Sequence, residues 1–212
     1  MDLILNGDTR EMDTSDCANL AELVEAAGRE GGSGEASVVV AVEVDGEALS
    51  PDELSVLESR TLDGVQRVSI ESRPARAIAL SVLAQGAEYT VRIAEAIGET
   101  VQHFQSGRKE RGNEFLADVT DSLTVLTGIT LSVSPELGSE TASLVALQSE
   151  ILPWLEELVE AQSEEDPIRI GDLLEYEISP RIEDWGSVMR KVVESSGAGS
   201  ASDAPGTQTL SN

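Results

Sequence analysis

The hydrophobic period of the chain changes once, at Arg73-Pro74, and that change most constrains what it can fold into. Before it, apolar residues come in short runs punctuated by Asn-Gly and Asp-Gly pairs. After it, they recur every three or four residues as far as Val193. Period two belongs to strands with one buried face, and a period near 3.6 to helices packed along one stripe. The expected fold is therefore α+β. It comprises a small sheet unit over residues 1–73, an antiparallel four-helix bundle over 74–194 and a disordered polar tail over 195–212.

In the first unit, Leu3 and Leu5 alternate with polar neighbours and Asn6-Gly7 follows at once, a pair suited to a hairpin turn in which both central residues need positive φ. A second strand is expected over about Arg10–Asp13. Asn19, with Glu22 three positions on, reads as a capped helix start, and Leu20, Leu23, Val24 and Ala27 share one face. That helix stops in the Gly31–Gly34 loop. Ser37–Val44 is the strongest strand signal and Asp45-Gly46 a second hairpin turn. Ser50-Pro51-Asp52-Glu53 opens a short helix, and Val65–Glu71 is a last strand.

The order, β-β-α-β-β with a short helical segment before the final strand, resembles the small β-grasp (ubiquitin-like) sulfur carriers of thiamine and molybdopterin biosynthesis, the ThiS/MoaD group. The resemblance covers roughly residues 1–73. That family works through a free carboxy-terminal Gly-Gly, whereas here the corresponding strand runs on into Ser72-Arg73-Pro74, and Gly31-Gly32 is internal. The resemblance therefore implies the scaffold without the sulfur-transfer chemistry.

Beyond Pro74, four amphipathic segments are expected. The first runs from Ile78 to Phe104 and stops at Gly107. Leu116–Val133 and Leu144–Leu158 follow, and a fourth is capped by Asp166-Pro167 and carries Ile170, Leu174, Ile178, Trp185, Met189 and Val192. The last two share a pattern: Glu150-Ile-Leu-Pro153-Trp154-Leu-Glu-Glu-Leu158 is echoed by Glu177-Ile-Ser-Pro180-Arg181-Ile182-Glu-Asp-Trp185. A proline inside a helix removes one hydrogen bond and costs about 3 kcal/mol, so two at matched positions point to paired kinks. The alternative is that each proline starts a new short helix. LLEYEISPRIEDW, within this region, is similar to bacterial helical proteins of uncharacterised function, a resemblance over about residues 74–190 that brings no catalytic residues.

The acidic residues around Pro180 read as a solvated face. Glu177 can pair with Arg181, and Arg181 with Asp184, while Asp172, Glu175 and Glu183 project outward. A formal charge of −26 disfavours nucleic-acid binding, with mimicry of DNA as a minor exception. One cysteine, Cys17, excludes an internal disulfide and a cysteine zinc cluster, and one histidine, His103, cannot build a di-iron bundle site. No cofactor and no metal is expected, and no membrane partner. The start MDLILNGDTR lacks a signal-peptide pattern, and Val38–Val42 is far short of a membrane span, so a cytoplasmic location is expected.

With no catalytic constellation beside two well-patterned units, the expected function is a non-enzymatic adaptor or assembly protein. Its partner is another protein, bound through the bundle or a sheet edge, and a second copy of the chain is an admissible partner. The candidate surface is Leu152, Pro153, Trp154, Tyr176, Pro180, Ile182 and Trp185, a groove opened by the kinks. Two alternatives remain: a bundle-type chaperone for an export or filament subunit, and a carboxylate-based metal-binding protein or enzyme.

Overall fold

The computed structural model describes residues 1–11, 17–30, 36–50 and 54–200, and the chain divides into two compact units between Ile78 and Ala79. In the first unit, β1 (Asp2–Leu5) and β2 (Asp8–Arg10) form a hairpin, α1 (Leu20–Glu30) follows, and β3 (Ser37–Val44) turns into β4 (Glu47–Leu49). Then α2 (Leu54–Ser59) leads to β5 (Arg67–Pro74). The strands lie in the order β2-β1-β5-β3-β4, with β1 parallel to β5 and the other pairs antiparallel.

Turn chemistry fixes this sheet. Asn6 and Gly7 have φ of 53° and 86°, Asp45 and Gly46 of 52° and 90°, the left-handed pairs that match strand twist in two-residue hairpins. The same two polar side chains then hold the central strand. Asn6 Oδ1 accepts the Ser72 N–H at 2.7 Å, and Asp45 Oδ1 accepts those of Gln66 and Arg67 at 3.0 and 2.8 Å. Leu3, Leu5, Val42, Val44, Val68 and Ile70 alternate onto one face and are buried against Leu20, Leu23 and Ala27 of α1.

Some boundaries differ from expectation. β2 starts at Asp8, because the turn is complete at Gly7 and Leu5 pairs directly with Asp8. β5 starts at Arg67 and extends to Pro74, which stands opposite Ser37. The Asn19 cap is present, its Oδ1 accepting the Glu22 N–H at 3.0 Å, but the Glu22 carboxylate reaches back to the N–H of Ala18 at 2.7 Å. Pro51–Glu53 of the expected second cap, the Gly31–Gly34 loop and residues 201–212 of the expected tail lie outside the described residues.

From Ala75 onward the described chain is helical: α3 (Ala75–Gln105), α4 (Lys109–Leu137), a 3₁₀ turn at Gly138–Thr141, α5 (Ala142–Ser163), α6 (Pro167–Asp172), a π turn at Leu173–Ile178 and α7 (Ser179–Ser200). The helix ends follow from local chemistry. Gly107, at φ 74°, closes α3, and Asp166 Oδ1 accepts the N–H groups of Ile168 and Arg169 at 3.1 and 3.0 Å to cap α6. At the far end, Ser195 and Ser196 carry the helix past the expected end at Glu194 to Ser200. Ser195 Oγ donates to the Val192 carbonyl at 3.0 Å, and Ser196 Oγ bonds Glu140 at 2.9 Å.

Side-chain contacts give the helix directions. Gly112 lies under the Phe104 ring and Gly86 against Ile129, so α3 and α4 are antiparallel. Gly86 also meets Met189, and Thr90 meets Gly186, which runs α7 antiparallel to α3. Leu83, Ile93, Ile97, Leu116, Leu126, Leu144, Leu174 and Trp185 are buried between them. Lys109–Ser163 is long and apolar enough to cross a membrane, with a mean hydropathy of 1.2 over its best window. Gly138, at φ 52°, instead ends α4, and Ser134 stands 3.3 Å from Thr141 across the turn. The apolar stretch is thus divided into two amphipathic helices whose buried residues include Leu116, Leu126, Leu144 and Ile151.

Candidate functional site

The two proline-containing repeats meet. The Arg181 guanidinium carbon lies 4.9 Å from the centre of the Trp154 ring, and each of these residues follows the proline of its own repeat. Other matched positions pair in environment: Ile151 and Ile178 are both buried, as are Leu158 and Trp185. Arg181 is further held by Glu177, donating to its carboxylate at 3.0 Å and to its carbonyl at 2.5 Å, so its expected pairing with Asp184 gives way to the stack on Trp154.

The prolines are accommodated differently. α5 runs through Pro153 as an α-helix. Pro180 follows the π turn, in which the Ser179 N–H donates to the Leu174 carbonyl five residues back. The wider turn gives the pyrrolidine ring the space that an α turn denies it. Pro180 therefore falls in the first turn of α7, between the two readings the sequence left open.

Of the candidate surface residues, Leu152, Pro153, Tyr176 and Pro180 are exposed and Trp154 is half-buried. Ile182 and Trp185 are corrections. They are 0% and 1% exposed, and Trp185 Nε1 donates to Thr130 Oγ1 of α4 at 3.2 Å, so both belong to the core. Their apolar period, which suggested a groove wall, is the period of the buried stripe. The Tyr176 phenol is pushed above its ordinary range by the neighbouring Glu175 charge, then by a hydrogen bond to Glu175, partial burial and the Asp172 charge.

Two grooves lie elsewhere on the helical unit. One, of about 310 Å³, runs between α3 and the π turn, where Gln105 Nε2 donates to Glu175 at 3.3 Å above Ile97 and Val101. The other, of about 260 Å³, separates Thr120, Thr124 and Thr127 of α4 from Leu155, Val159 and Gln162 of α5. Leu123 and Leu158, 7% and 4% exposed, form its floor. Thr120 and Thr124 donate their hydroxyls to the carbonyls of Leu116 and Thr120, at 2.9 and 3.1 Å. With those donors satisfied within α4, the wall is mainly methyl. The α5 wall continues as Leu152 and Val145, both exposed and each seven residues before the next. These threonines and valines were absent from the candidate surface. The signal for them was a second heptad line, Val145-Leu152-Val159, beside the buried line Leu144-Ile151-Leu158.

His103 lies in the last turn of α3, its ring 4.8 Å from Phe115 and its Nδ1 buried without a hydrogen-bond partner. Cys17 is half-buried against the sheet core. Among the described residues, no three His, Cys, Asp or Glu side chains come together where they could hold a metal ion.

A mixed sheet followed by a mostly helical region defines an α+β protein, with an open polar hollow of about 560 Å³ on the sheet unit lined by Asp2, Glu43, Asp45 and Arg67 and the two grooves on the helical unit. The chain belongs to the family described as "Domain of unknown function (DUF8042)", whose model matches residues 81–188. It is similar to a protein of Treponema pallidum (strain Nichols) entitled "Uncharacterized protein", 28% identical over 199 residues, with 87% of this chain and 94% of that protein covered. No solved structure matches. The family match lies wholly in the helical unit, while coverage by the treponemal protein is too long to exclude the sheet unit.

Proposed function

We propose that the chain is a non-enzymatic adaptor or assembly protein that receives a partner on its helical region. In this reading the helical unit is an antiparallel four-helix bundle, supported by the α3–α4 and α3–α7 contacts. The sheet unit is a β-grasp module, supported by its strand order and its parallel β1–β5 pair.

The observation that carries the proposal is the open α4–α5 groove, apolar on its floor and mainly apolar on its walls in a chain of charge −26. A helix exposes no backbone groups for strand addition, so such a groove suits an apolar stripe from a partner. The sheet edges are weaker candidates, because β2 and β4 are each three residues long.

A photo-crosslinking residue placed at Val159 in the native host tests this, with Val91 of α3, also exposed, as the comparison. Expected is one discrete adduct from position 159 and none from 91. Adducts from neither, together with turnover in a broad substrate screen, would contradict the proposal.

A further inference from the structure

We infer that the α4–α5 groove receives a cationic amphipathic helix of another protein, which rests on the interaction reading above. Between Arg111 and Arg169 the chain has no lysine or arginine, against twelve aspartates and glutamates. This stretch is the whole α4–α5 hairpin except the first residues of α4. Asp121 on α4 and Glu156 on α5 are exposed, form no ion pair among the described residues, and stand three residues before Thr124 and Val159 of the groove walls. Glu156 lies four residues after Leu152 and three before Val159, on the same helical face as that apolar line. Arg169 bridges Glu157, Glu160 and Glu164 at 3.4, 2.7 and 3.1 Å, so those three carboxylates are already paired while Asp121 and Glu156 are not.

The groove thus joins an apolar floor to walls that carry a carboxylate one turn away on each helix. Its complement has an apolar stripe with basic flanks. The line Val145-Leu152-Val159 repeats every seven residues, the spacing at which a second helix presents its own stripe. Threonine methyls and satisfied hydroxyls offer no donor row for an extended strand. A second copy of the chain brings the same carboxylates to the seam and is repelled by them.

The test uses the full chain and fluorescent peptides at roughly physiological salt. One peptide has leucines at i, i+3, i+4 and i+7 with lysines elsewhere, one has the same composition scrambled, and one has glutamates in place of the lysines. The patterned lysine peptide should bind one to one and at least about tenfold tighter than either control. Val159→Lys and Thr124→Lys should each weaken it about tenfold, Val159→Ser less, and Val91→Lys should leave it unchanged. The inference is overturned if the scrambled peptide binds equally, if changes at 124 and 159 act no more than the change at 91, or if the free chain sediments as a dimer that Val159→Lys dissolves. Discrete host adducts from another surface would then leave the interaction reading standing while this inference fails.

Discussion

Two seams in the helical unit are built on opposite rules. Where α3 meets α7, a β-carbon added at Gly186 would collide with Thr90 Oγ1, and one at Gly86 would stand 3.0 Å from Met189 Sδ and 3.3 Å from Ile129. Where α4 meets α5, a groove of about 260 Å³ stays open between threonine and valine walls. The closed seam uses glycine to bring backbones together and leaves no room for a ligand. The open seam keeps apolar side chains at the surface, where they add little to the core. On the proposed reading, exposed apolar side chains aligned in this way serve an interaction surface more than a folding requirement.

Trp185, beside Gly186, is the largest fully buried side chain among the described residues. Trp185→Ala should destabilise by about 3–5 kcal/mol in urea unfolding, because it leaves a cavity and strands the Thr130 hydroxyl's partner position. Val159→Ala, on the wall of the open seam, should cost no more than about 0.5 kcal/mol. Equal losses would mean that the two sides are packed alike. Next in size, Gly186→Ala should destabilise by about 1–3 kcal/mol, although alanine ordinarily favours a helix over glycine. Thr90→Ala in the same chain should recover part of that loss, and a double-mutant cycle showing no coupling would argue against the close approach. Pro153→Ala, on the exposed face of α5, should instead stabilise by about 1–2 kcal/mol, since alanine supplies the missing donor. At Pro180 the gain should be smaller, because the π turn has already absorbed the ring. A loss of several kcal/mol at either proline would make the bends part of the core.

Much of this architecture was legible in local chemistry. Asn6-Gly7, Asp45-Gly46 and the Asn19 and Asp166 caps each act within a few residues, so spacing alone located them. Helix periods are local in the same way, as with Leu116, Val119, Leu123 and Leu126 on the buried side of α4. The closed seam was not legible. A glycine within a helix says nothing about what stands opposite, and only the fold places Thr90 over Gly186. The π turn was hidden because the apolar period continues through it.

The candidate surface was half-legible. Pro153, Trp154 and Pro180 lie at or near the surface as the repeat implied, while Ile182 and Trp185 point inward with the rest of their stripe. The α4–α5 groove escaped notice because threonine and valine carry no chemical signature, and whether Val159 is buried depends on which helices flank α5.

In the proposed interaction, the α4–α5 seam is open until a partner fills it. A single thiol measures this directly: Val159→Cys in a Cys17→Ser background, alkylated by a maleimide with and without the patterned lysine peptide. The free protein should react near the rate of an unhindered thiol, and saturating peptide should slow the reaction at least about tenfold by mass action on the open state. Slow alkylation of the free protein, or a rate that the peptide does not change, would contradict the account.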